Sequence, residues 1–166
     1  IKDYNRRKYD AAIAGFQSCL EFYEKQNDEL LVAEMRNNIS VALLGKNAAQ
    51  EAYDIVKGTD ETFQKVGDLK GQGMALANTA AALEALDKKE EALALYEHTL
   101  DIFKEAGEKE LRINILRRVS DLQLKTKRGF QALASMEAAY NQREKPTIKD
   151  SVFKTTLAAI RNKLFK

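Results

Sequence analysis

The chain has 166 residues, 45% hydrophobic and 31% charged, with one proline, one cysteine and no tryptophan. That balance fits one soluble helical domain with a continuous core and excludes a disordered chain. No stretch reaches the roughly 20 apolar residues of a membrane span, no N-terminal segment reads as a signal peptide, and Cys19 alone forms no internal disulfide, which fits a reducing, cytoplasmic setting. The chain starts at Ile1 rather than Met, which leaves room for an upstream part, a targeting segment included. Charge is uneven: residues 1–108 hold 13 Lys+Arg against 20 Asp+Glu, and residues 109–166 hold 14 against 5. The two parts therefore offer partners opposite fields.

Taken in chain order, residues 1–6 align with the end of one helix type, so the chain begins inside a repeat. A helix of a second type follows over about 9–26, with Ala12, Ile13, Phe16, Cys19 and Tyr23 on one face. Its columns return every 40 residues. Ala52, Ala92 and Ala132 repeat the alanine; Tyr53, Leu93 and Leu133 repeat the large apolar neighbour. Val56, Tyr96 and Met136 follow, then the small residues Thr59, Thr99 and Ala139, then Phe63 and Phe103, with Arg143 breaking the last column. Offsets of 0, 4, 7 and 11 share one helical face, so each copy is a helix with a fixed packing partner.

First-type helices fill the gaps at about 29–45, 69–86 and 109–126, with Asn38, Asn78 and Arg118 in register two residues before Ser40, Ala80 and Ser120. Asn27-Asp28, Gly67-Asp68 and Gly107-Glu108 punctuate the chain ahead of these helices, the first residue suited to a left-handed helix end and the acid to the next N-terminus. Short turns at Asn47, Asp87-Lys88 and Lys127-Arg128-Gly129 join the helices of each pair. A last helix at about 148–165 has Ile148, Val152, Leu157, Ile160 and Leu164 on one side. It covers the open core of the last repeat; its basic residues leave an anionic membrane surface as the alternative. The expected organisation is one domain: residues 1–28 as a partial repeat, 29–68, 69–108 and 109–146 as three repeats, and 147–166 as a C-terminal capping helix.

These columns resemble the tetratricopeptide repeat, which sets a small residue mid-way along its first helix and an alanine with a large apolar residue on its second. The copy from Gly73 to Gly107 is the clearest. The 40-residue period is similar to the long-helix subclass of kinesin light chains and spindle-orientation adaptors, although no proline closes each repeat and tryptophan is absent. The resemblance implies an all-α, right-handed superhelical solenoid of antiparallel helix pairs, about three repeats with flanking helices. First-type helices would line a concave groove that receives a peptide or partner segment.

On that packing the groove face includes Glu34, Asn37, Asn38 and Val41; Met74, Ala77, Asn78 and Ala81; and Asn114, Arg117, Arg118 and Asp121. In the long-repeat subclass an asparagine at the place of Asn38 and Asn78 bonds the backbone of an extended peptide; the alternative is that both tie neighbouring helices together. Arg117 and Arg118 offer bidentate recognition of carboxylates, which implies an acidic partner, and the alternative is a solvated basic face. The lysines of a chaperone carboxylate clamp are missing, so no heat-shock chaperone is expected as a partner.

Nothing in the sequence assembles a catalytic or metal site, and no enzyme activity, cofactor, metal or small-molecule substrate is expected. His98 is placed outward on a second-type helix, and Cys19 falls in a packing column. Gly71-Gln72-Gly73 lacks the lysine of a phosphate loop. Basic residues after 109 are not interleaved with stacking aromatics, so nucleic acid is not expected, nor is a membrane partner. The sequence thus points to an interaction scaffold or adaptor; the alternatives are a regulatory peptide-sensing domain and an RNA-associated helical repeat.

Overall fold

The computed structural model of the chain describes residues 2–142, with side chains from Lys8 onward. Among them there are eight α-helices and no strand: α1 Lys2–Gln26, α2 Glu29–Gly45, α3 Ala49–Val56, α4 Thr59–Lys65, α5 Leu69–Ala85, α6 Lys89–Glu105, α7 Lys109–Lys125 and α8 Gly129–Asn141. The expected helix at 148–165, the Arg143 departure and the capping segment 147–166 lie outside the described residues. The chain divides into two compact units between Ala106 and Gly107. α1 to α6 form the first unit; α7 and α8 belong to the second.

The 40-residue period is written into the backbone. Asn27, Gly67 and Gly107 have φ of 56°, 75° and 72°, and Asn47, Asp87 and Lys127 have φ of 62°, 62° and 61°. These left-handed residues end the helices before each turn. Around Asn27, Asn47, Gly67, Asp87 and Lys127 the same pair of bonds closes the helix: Asn47 N–H donates to Leu44 O at 3.0 Å and Ala48 N–H to Leu43 O at 2.9 Å, and the other turns repeat it. The acids that follow divide by length. Asp28 accepts from Leu31 N–H at 3.1 Å and Asp68 from Gly71 N–H at 2.9 Å, each capping a helix. Glu108, one methylene longer, makes no such cap.

Within the first unit α2 packs on α1, α3, α4 and α5; α5 in turn packs on α3, α4 and α6. Ala52, Val56, Phe63, Ala92, Tyr96 and Phe103 are buried, so both second-type helices turn their repeated columns into the core. Ser40 and Ala80 are fully buried between them, and the Ser40 hydroxyl donates to Ala52 O at 3.0 Å. In the second unit Ser120 does the same to Ala132 O at 2.9 Å. The small-residue column thus serves close approach and, where it is serine, ties the two helices of a pair. Gly73 has the same origin: the Phe103 ring lies against its Cα, where any side chain would clash. Gly71 and Gly73 are helical packing residues of α5.

Three expectations are corrected. Residues 2–6, expected as the end of a separate first-type helix ahead of one at about 9–26, belong to the same helix, α1, which runs from Lys2 to Gln26. Cys19 is exposed rather than packed, because among the described residues no helix stands against it as α2 stands against Thr59. The second-type helix of residues 49–65 is broken. Lys57 is extended (φ −55°, ψ 126°), Gly58 is left-handed at φ 83°, and α4 restarts at Thr59. A residue with a side chain disfavours that conformation. His98 holds the equivalent place in α6, which is continuous.

Candidate partner-binding groove

α2 and α5 lie side by side, and a cavity of about 280 Å³ opens between them. Glu34, Asn37 and Asn38 form its α2 side; Lys70, Gly71 and Met74 form its α5 side, with Phe63 and Asp68 between. The helical stripe continues past the cavity through Val41 on α2 and Asn78 and Ala81 on α5. Val41 and Met74 are 53% and 43% exposed, so the stripe offers apolar contact. Asn38 is exposed and Asn78 is half-buried. Neither amide hydrogen-bonds to another described residue.

Asn37 departs from the expected groove face. It is only 6% exposed, and its side-chain amide lies 3.4 Å from Thr59 Oγ1. The periodicity explains this: Asn37 shares a stripe with Ala33 and Ser40, both buried, and that stripe faces the second-type helices. Thr59 has one hydroxyl proton, which goes to Val56 O at 2.8 Å. Asn37 Oδ1 is thus the longer, second acceptor beside that hydroxyl, at 3.4 Å. Asn37 ties α2 to the restart of α4 and supplies only the cavity floor.

Asn114, Arg117, Arg118 and Asp121 are all exposed on α7, at spacings that put them on one helical face. They belong to the second unit. The fold thus gathers Asn38, Met74 and buried Asn37 at one cavity, with Val41, Asn78 and Ala81 along its extension. Phe63, Asp68, Lys70 and Gly71 line the cavity without having been singled out for it. The capping column at 28, 68 and 108 carried the signal for Asp68, since it sets the mouth of each first-type helix beside its neighbour.

His98 is exposed on α6. Among the described residues no group of three or more His, Cys, Asp and Glu side chains is placed to hold a metal ion, and no helix is long and apolar enough to cross a membrane. Neither the family models nor the curated proteins searched include a match to the chain.

Proposed function

We propose that the chain is a tetratricopeptide-type solenoid, a scaffold or adaptor that holds an extended segment of another protein along its first-type helices and catalyses no reaction. The observation that carries this reading is the pair of asparagines 40 residues apart, Asn38 and Asn78. Their amides are unbonded within the described chain and flanked by exposed Val41 and Met74. An extended peptide has an unpaired N–H and C=O at every residue, and an asparagine amide answers both. Val41 and Met74 would supply the apolar contact that such a segment needs, and Met adapts readily to varied partners. The helices on either side are fixed by a buried core, so binding requires little rearrangement.

The second unit extends the reading to partner chemistry. Exposed Arg117 and Arg118 favour an acidic segment there, and the excess of Lys and Arg after residue 109 reinforces them. Selection of displayed random peptides on the full chain tests both parts. Enriched peptides should lose binding to a variant carrying Asn38→Ala and Asn78→Ala, and their acidic residues should lose their advantage on Arg117→Glu with Arg118→Glu. Enrichment unchanged by either variant would refute the reading.

A further inference from the structure

α4 lacks what holds the matching stretch of α6 in place. The break leaves α3 with 8 residues and α4 with 7, both short of the roughly 12–15 at which a helix becomes stable alone. Gly58 gives α4 no side-chain cap. The grip of α4 on its neighbours is also weaker. In α6, Thr99, Ile102 and Phe103 are buried and Leu100 is half-buried. The matching residues of α4 are Thr59, Thr62, Phe63 and Asp60, so a hydroxyl and a carboxylate replace two large apolar side chains. Phe63 is the one large apolar residue of α4, and it clusters with Ala33 of α2 and Ala75 of α5.

Open space adjoins α4 in two places. A second cavity, of about 370 Å³, is lined by Lys57, Gly58, Thr59 and Thr62 together with residues of α1 and α2. Phe63 lines the α2–α5 cavity. Side chains beside a void have no partner atoms there, so moving α4 breaks few contacts. Local opening begins in such thinly packed segments. The pivot is already built: the backbone leaves the helix at Lys57, and Gly58 accepts a wide range of φ and ψ. We propose that α4 is a hinged segment that swings as one unit about Lys57–Gly58 while α2 and α5 stay in place. The swing carries Phe63 with it and so sets the depth of the α2–α5 cavity. Anything that enters that cavity meets the anchor of α4, which couples its occupancy to the hinge. The hinge itself does not depend on the groove receiving a partner; its effect on partner binding rests on that reading.

Amide hydrogen exchange of the full chain, with no partner added, tests the hinge. Phe63, Gln64 and Lys65 should open together and be at least about tenfold less protected than Phe103, Lys104 and Glu105, their counterparts in α6. Thr62→Ile supplies the anchor that Ile102 gives α6, and the cavity beside Thr62 leaves room for it. This variant should slow exchange at the three α4 amides by about tenfold, the worth of roughly two buried methylene groups. The Met74 methyl lines the same cavity as Phe63 and reports the swing. Its signal should show microsecond-to-millisecond exchange broadening that shrinks in Thr62→Ile, while Met136 in the second unit stays unchanged. Equal protection of the two sets of amides, or no slowing in Thr62→Ile, would overturn the hinge. Slowed amides with an unaltered Met74 signal would overturn its link to the cavity. Both readouts are taken without a partner, so they stand apart from the peptide selection that tests the groove.

Discussion

α3 and α4 together, and α6, are two versions of one helix. Ala52 matches Ala92, Val56 matches Tyr96, Thr59 matches Thr99 and Phe63 matches Phe103, and all eight are buried. Yet the first version is interrupted and the second is not. Side-chain columns and backbone continuity are therefore separable: packing against the first-type helices fixes the columns, and a glycine decides whether the helix passes unbroken between them. Thr59 shows the adjustment. Where Thr99 returns its hydroxyl to Leu95 O at 2.8 Å, four residues back in a continuous helix, Thr59 bonds Val56 O, three residues back across the break.

Substitutions can break this comparison at several strengths. The largest effect is expected at the shared core column. Tyr96→Ala should cost about 3–5 kcal/mol, since it empties a fully buried aromatic site, and Val56→Ala about 2 kcal/mol for its smaller volume. Denaturant midpoints measure both, and equal losses would mean that the columns do not carry equivalent packing. At the break itself, Gly58→Ala should cost about 1–2 kcal/mol because φ is 83° there. His98→Gly should cost about 1 kcal/mol for the opposite reason, a glycine placed inside a continuous helix. Thermal melting of the two variants sharpens the contrast, and a gain in stability from Gly58→Ala would show that the interruption is not maintained in solution.

Much of the fold was legible because a 40-residue period leaves three or four copies of each column to compare. The turns at 27, 67 and 107 and at 47, 87 and 127, the buried alanines and the small residues at Ser40, Ala80 and Ser120 all follow from that register. The break was not legible, since Gly58 stands in a column that its neighbours fill with Ser18, His98 and Ala138, and one glycine in a helical pattern is often tolerated. Asn37 was misplaced because adjacent residues on a helix differ by 100°, which separates Asn38, on the groove, from its neighbour in the core. The cavity residues Lys70 and Gly71 come from packing between α2 and α5, which no single column reports.

Smaller effects test the repeated details. Ser40→Ala and Ser120→Ala should each cost about 1 kcal/mol, the net worth of a buried hydroxyl bond to the paired helix. Hydrogen exchange should then speed in α3 for the first and in α8 for the second. Lys127→Gly should stabilise the turn by about 0.5 kcal/mol, as relief of a left-handed lysine slightly outweighs the added freedom of the unfolded chain. Thermal melting would register it as a small upward shift.

The central claim is that the asparagine stripe on α2 and α5 holds a partner segment. Its most direct test is the backbone amide spectrum of the full chain, recorded with and without a peptide selected on it. Saturable shifts at Asn38, Val41, Met74 and Asn78, lost together when Asn38 and Asn78 are both changed to alanine, are the predicted result. Shifts confined to the outward faces of α1 and α6, with Asn38 and Asn78 unmoved, would contradict it.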